Sequence, residues 1–225
     1  MKSKKDRKQK KKNSTLQFRT LITNEAARLM YEEGVKQYHT AKWRAAKSLL
    51  SQGCGASRAN TRDLPSNGEI SEQVYRIATM HEGSNLTSRL FEMRLIALEV
   101  MEALEEFSPR LIGSVSTGRI KKNSDIDLHI FTDSIETLEL KLQQLVWEYE
   151  MEKVAIRYGA GFREFTHIYL NKYEYAVELS VYPEKDIRVR GRSSTDGKPI
   201  VRVSYRRLLE LIQREHEDDW SEYLI

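Results

Sequence analysis

At 225 residues, 40% apolar and 31% charged, the chain has the composition of a water-soluble globular protein: one large domain, or one domain with a helical extension. It contains no uninterrupted apolar stretch long enough for a membrane-spanning helix, and its charged N-terminus is not followed by the apolar segment of a secretory signal. The formal net charge is +4, yet residues 1–13 carry eight Lys or Arg against Asp6, a local +7, so residues 14–225 sum to −3. The single cysteine, Cys54, cannot form an internal disulfide, which points to a reducing, cytoplasmic setting.

In chain order, residues 1–21 read as a basic tail with no apolar face to bury, hence disordered. Such a tail either grips a phosphate backbone or simply solubilises the chain. Asn24 can cap a first helix, with Glu25 in its first turn, an apolar stripe of Ala26, Leu29 and Met30, and a stop at Gly34. A second helix fits Tyr38–Leu50. Its Lys42, Trp43 and Arg44 interleave cations with an aromatic, as nucleic-acid grips do, although a helical Trp is more often core. Residues 51–68 are turn-rich. Ser66 and Glu69 then form a capping-box pattern opening a third helix to about His81. A fourth runs from Leu86 to Phe107, with Leu90, Met93, Ala97, Val100, Leu104 and Phe107 alternating at spacings of three and four. Ser108-Pro109 ends it.

From Arg110 the pattern changes. A short apolar strand over 110–115 carries Gly113-Ser114, a basic loop follows, and a second strand covers Asp125–Phe131. Alternation along that strand puts Asp125 and Asp127 on one face, with His129 beside them, and Ile126, Leu128 and Ile130 on the other. Two neighbouring carboxylates repel unless a cation or proton lies between them. Oxygen donors of this kind suit Mg²⁺ or Mn²⁺. A helix opens at Ser134, with Ile135, Leu138, Leu142, Leu145 and Tyr149 on one face and Trp147 off it. Strands are expected over 153–158, 164–170 and 173–182. In the last, Val177, Leu179 and Val181 share the apolar face while Glu174 and Glu178 share the other. Arg188, Arg190 and Arg192 follow at spacing two, then a loop, then a final helix from Ser204. Helices, a strand–strand–helix–strand–strand–strand run and a last helix make an α+β fold. Residues 22–107 read as a helical extension and 108–225 as the core.

Gly113-Ser114, ten intervening residues, and Asp125-Ile126-Asp127-Leu128 resemble the signature of the polymerase-β-like nucleotidyltransferase superfamily. That superfamily includes CCA-adding enzymes, poly(A) polymerases, oligoadenylate synthetases and antibiotic nucleotidyltransferases. The resemblance covers about twenty residues. It implies a small twisted mixed sheet backed by helices, an NTP substrate, and transfer of a nucleoside monophosphate to a hydroxyl by a two-metal mechanism, with pyrophosphate released. It also implies a third carboxylate on a later strand. Glu178, between Val177 and Leu179, matches better than Glu174, which stands next to a turn; many relatives have Asp there. Gly113 and Ser114 would meet the phosphates, joined by Arg119 and Lys122 from the loop. Arg188, Arg190 and Arg192 would contact triphosphate or RNA, or form a solvated edge. The basic segments favour an RNA acceptor such as a tRNA 3′ end. A protein or small-molecule acceptor, or a non-catalytic nucleotide- or nucleic-acid-binding module, fits the same pattern.

Overall fold

A computed structural model describes residues 4–53, 63–158, 161–189, 191–193 and 195–224, with the side chains of 4–12, 14, 156–158 and 163 outside the description. Cys54 and Arg190 fall outside it. The chain divides into two compact units, residues 1–83 with Ser193–Gly197, and Ser84–Arg192 with Lys198–Ile225. The expected boundary at 107/108 therefore falls at 83/84, because the fourth helix belongs with the sheet.

The first unit holds α1 (Lys4–Glu32), α2 (Tyr38–Ser51) and α3 (Asn67–Glu82). Its core joins Phe18, Ile22, Ala26 and Met30 of α1 to Ala41, Ala45 and Ala46 of α2 and Ile70 and Val74 of α3. The alanines give α2 a face without bulk, so helix backbones approach closely. The start of α1 corrects two expectations. Asn24 lies inside the helix rather than capping it, and the segment read as a disordered tail is helical from Lys4. The reason is visible at Phe18 and Ile22, both buried, which extend the apolar stripe back by spacings of four. Arg19 adds a bidentate pair to Glu69, its Nε donating at 2.8 Å. Glu69 meanwhile closes the capping box with Ser66 that the sequence signals.

The second unit begins with α4 (Ser84–Ala103) and a 3₁₀ turn, Glu105–Phe107. All six residues of its expected stripe are buried. Then come β1 (Arg110–Ile112), α5 (Gly113–Thr117), β2 (Ile126–Phe131), α6 (Ile135–Gln144), β3 (Tyr149–Tyr158), β4 (Gly161–Leu170) and β5 (Val177–Tyr182). The chain ends with α7 (Tyr205–Glu215) and α8 (Glu217–Tyr223). Ser134 caps α6 and Ser204 caps α7, each accepting from a backbone N–H three residues on. Trp147, expected off the apolar face, is buried, and Tyr173 meets it edge-on.

The sheet has the order β1-β2-β5-β4-β3, with β2 and β5 parallel and every other neighbouring pair antiparallel. Five mixed strands with segregated helices make this an α+β fold. Ile126, Leu128 and Ile130 of β2 and Val177, Leu179 and Val181 of β5 are all buried. Their alternation sends the polar residues of both strands to the opposite face.

Phe18 separates a helical from a disordered reading of the N-terminal segment. Phe18→Ala is expected to cost about 3 kcal/mol in urea unfolding of the first unit, as for a buried aromatic. A neutral effect would mean that the segment is unstructured.

Candidate functional site

The polar face of the sheet is ordered by strand register. Asp127 pairs with Glu178 across the parallel β2/β5 ladder, and Glu178 pairs with Tyr169 of β4. Directly paired residues share a face, so these three side chains form one row. His129, Ser180 and His167 form the next row, and Phe131 and Tyr182 begin a third. Polarity thus falls along the face from carboxylates through imidazoles to aromatic rings.

The aromatic end is closed. Arg202 lays its guanidinium 4.8 Å from the Phe131 ring centre and 5.9 Å from that of Tyr182. Its Nε donates to His129 Nδ1 at 3.1 Å, and its Nη1 donates to the carbonyls of Asp186 and Ile187. Phe165 packs on Tyr182 with centroids 4.8 Å apart. His129 is buried here, and burial foremost, then the nearby Arg202 charge, pushes its pKa down to about 3. It is a neutral acceptor that anchors Arg202, not an exposed group beside the acidic pair. The carboxylate row, by contrast, is only partly covered: Asp127, Glu178 and Tyr169 are half-buried and Asp125 is exposed.

Gly113 explains how that row is built. Its φ is +71°, a conformation that glycine adopts without penalty, and a Cβ placed there would lie 2.3 Å from Asp127 Oδ2. Ile112, immediately before it, pairs with Asp127 across β1/β2. The first turn of α5 is therefore seated against the carboxylate, and only glycine leaves room. The stretch expected to be strand through Val115 turns helical at this residue. Ser116 Oγ and Thr117 Oγ1 donate to the Gly113 carbonyl, at 2.8 and 3.2 Å. Ser114, half-buried, opens the turn. From behind, the fully buried Arg94 of α4 donates to the Val115 carbonyl at 3.3 Å and to Glu215 of α7 at 2.8 Å. Arg119 and Lys122 are exposed on the loop after α5.

The electrostatics are those of crowded negative charge. Burial first, then the charges of Glu178 and Asp125, pushes the Asp127 carboxyl up to about 7, with His167 opposing. Glu178 behaves oppositely: the hydrogen bond from His167 holds its carboxyl below the usual range. His167 Nδ1 lies 2.5 Å from Glu178 Oε1. Sequence reading did not single out His167 or Tyr169. Their alternation with Phe165 along β4 was the available signal, but it becomes chemical only once the register with β5 is known. Glu174, the alternative to Glu178, is exposed in a bend at 172–175 that shortens the expected strand, and it stands outside the row.

The donor chemistry fits a hard divalent cation. Asp125 and Asp127 offer carboxylate oxygens, burial and the neighbouring negative charges of Glu178 and Asp125 make Asp127 resist ionisation without a cation, and Gly113 leaves Asp127 the room it occupies. Among the described residues no three His, Cys, Asp or Glu side chains stand together as a ready-made metal cluster.

Of the remaining candidates, Lys42, Trp43 and Arg44 belong to the first unit and Arg188 and Arg192 to the second. Lys42 Nζ donates to the Pro65 carbonyl and to Asn67 Oδ1, at 2.9 and 2.8 Å, and Arg44 pairs with Glu33 at 2.9 Å. Trp43 is 37% exposed, tilted against His39. Lys42 and Arg44 thus serve the helical unit. Arg188 ends a 3₁₀ turn, Glu184–Arg188, where an edge strand was one expectation, and Arg192 makes an isolated bridge with Pro199. Both are exposed.

No protein-family model matches the chain, and no curated protein does. Solved structures are similar over about half of it. A cytoplasmic RNA terminal U-transferase is 17% identical, covering 51% of this chain and 34% of its own, with a TM-score of 0.29. The Cid1 poly(U) polymerase in its MgGTP-bound form is 20% identical, covering 52% and 38%, with a TM-score of 0.31. The GLD-2/RNP-8 complex is 16% identical, covering 53% and 49%, with a TM-score of 0.30. The chain thus spans between a third and a half of these chains. At such values the likeness carries no argument about activity, which rests on the site itself.

Gly113→Ala is expected to cost about 3 kcal/mol, the left-handed strain of about 1–2 kcal/mol plus displacement of Asp127. In an Asp127→Ala background only the strain should remain, so urea unfolding of the two singles and the double would show strong non-additivity. Additive losses would mean that the two residues do not touch.

The raised pKa of Asp127 has a pH signature. Its ordinary value is 3.8 and its folded value about 7, so the folded state holds the proton more tightly. Ionisation therefore costs stability above about pH 7 and nothing below about pH 4. Without divalent cations, Asp127→Asn should gain about 2 kcal/mol at pH 8, less than the full shift implies because the side chain keeps some water contact. The gain should fade as pH falls from 7 to 4 in thermal melts. A pH-independent difference would contradict the assignment.

Proposed function

We propose that this chain is a Mg²⁺-dependent nucleotidyltransferase that moves a nucleoside monophosphate from an NTP to a hydroxyl, with RNA as the acceptor. The observation that carries the reading is the seating of Gly113 against Asp127, with Glu178 paired across the sheet. It supports reading the glycine turn and the carboxylates, which the linear motif holds apart, as parts of one site.

Asp125 and Asp127 would hold the metal, Mg²⁺ or Mn²⁺, with Glu178 as the third carboxylate. When bound, the metal supplies positive charge to the phosphate oxygens and lowers the pKa of the attacking hydroxyl. The chain's own residues do the positioning. The turn at Gly113, free of a side chain, lets backbone approach a phosphate, and the Ser114 hydroxyl offers it a donor. Arg119 and Lys122, exposed on the next loop, would meet the triphosphate or the acceptor backbone. The acceptor oxygen forms a bond to the α-phosphorus as the bond to the β-phosphate oxygen breaks, releasing pyrophosphate.

The RNA acceptor, a tRNA 3′ end being one concrete form, is supported by the local +7 charge over residues 1–13. Lys42 and Arg44 lend it less, since their charges are used within the helical unit. The lone cysteine supports a reducing, cytoplasmic site of action. Among the described residues no helix is long and apolar enough to cross a membrane.

Incubation of the chain with each labelled NTP, Mg²⁺ and total cellular RNA, protein or metabolites tests the reading. Label should enter RNA, and Asp125→Asn with Asp127→Asn should lower incorporation by more than about a hundredfold. Label in protein or metabolites would replace the acceptor. NTP binding without transfer to anything would make the chain a non-catalytic module.

A further inference from the structure

Glu178 is one methylene longer than the aspartate many members of the resembled family carry, and a longer side chain has more rotamers to lose before it can bind a cation. The structure contains a device that removes them. Glu178 Oε1 receives two donors from the same face: His167 Nδ1 at 2.5 Å and Ser180 Oγ at 3.3 Å. The register makes this possible. His167 stands directly opposite Ser180 across β4/β5, and Glu178 is the diagonal neighbour. Serine is small enough to let the imidazole lean across to the carboxylate. The ring is fixed in turn by its surroundings, with its side chain 12% exposed. A carboxylate only accepts, so Nδ1 carries the hydrogen, and Nε2 has no hydrogen-bond partner among the described residues.

We infer that His167 is the positioning residue for the third carboxylate: with Ser180 it occupies Glu178 Oε1 and leaves Oε2 as the single oxygen offered to the cation. This rests on the nucleotidyltransferase reading and deepens it. A ligand whose second oxygen is held by an outer partner keeps its orientation, and loss of such a partner typically weakens metal binding by about 10–100-fold. No other described side chain donates to Glu178. Without His167 only the longer bond from Ser180 would restrain the carboxylate.

Titration of the full chain with Mn²⁺, following loss of the free-ion spin-resonance signal, tests this without reference to turnover. Asparagine places an amide N–H where Nδ1 stands, glutamine places it where Nε2 stands, and leucine removes it. His167→Leu should weaken Mn²⁺ binding by about tenfold or more and His167→Gln similarly, while His167→Asn should stay within about threefold of wild type. In a Glu178→Gln background, His167→Leu should change affinity by less than about twofold, since the residue acts only through Glu178. Thermal melts establish that each variant is folded; if the leucine variant is not, the asparagine and glutamine pair decides. Folded Leu or Gln variants that bind like wild type overturn the inference alone, as does equal weakening by Asn and Gln. A wild-type chain that binds no Mn²⁺ overturns the nucleotidyltransferase reading along with it.

Discussion

Parallel pairing of β2 and β5 is the constraint on which the site depends. Buried Ile126, Leu128 and Ile130 meet buried Val177, Leu179 and Val181, and that apolar seam admits a single register. A slip of one residue would send every core side chain to the other face. The same register forces Asp127 beside Glu178, two carboxylates that repel one another. Hydrophobic burial on one face therefore enforces electrostatic crowding on the other. The raised pKa of Asp127 reflects its burial first and that crowding second.

The surrounding elements hold this arrangement at particular points. Gly113 gives Asp127 space that any side chain would fill. Behind the turn, Arg94 links α5 to α7 through Val115 and Glu215. Its burial is tolerable because its donors are engaged; an unpaired guanidinium there would be costly. At the far end of the face Arg202 covers Phe131 and Tyr182 and uses His129 as an acceptor. The polar face is consequently closed at its aromatic end and only partly covered at its acidic end.

His167 and His129 show how position decides the role of one side-chain type. They stand in the same row with Ser180 between them. His129 accepts from a guanidinium and is kept neutral, whereas His167 donates to a carboxylate. Neither role follows from strand alternation, which places both only on the polar face. The hydrogen-bond partner makes the difference: Arg202 lies 73 residues from His129, and Glu178 lies 11 residues from His167 on the neighbouring strand.

Much of the local structure was legible in the chain because its signals are local. The capping box at Ser66 and Glu69, the caps at Ser134 and Ser204, and the stripe from Leu90 to Phe107 needed only neighbours within a turn or two. The acidic pair and the polarity of Glu178 were equally readable from alternation. What went astray depended on distant partners. Residues 1–21 looked like a tail because the eight cations of residues 1–13 masked Phe18; with Ile22 it is helical because α2 and α3 supply a surface to bury both. The partners of Lys42 and Arg44 within the first unit, Asn67 and Glu33, were likewise invisible in the linear chain. By itself the sequence determined which residues must be buried and which must face water. Tertiary structure alone decided that Gly113 makes room for Asp127 and that His167 holds Glu178, because both contacts arise from strand register, a property of chain segments brought together and not of either segment alone.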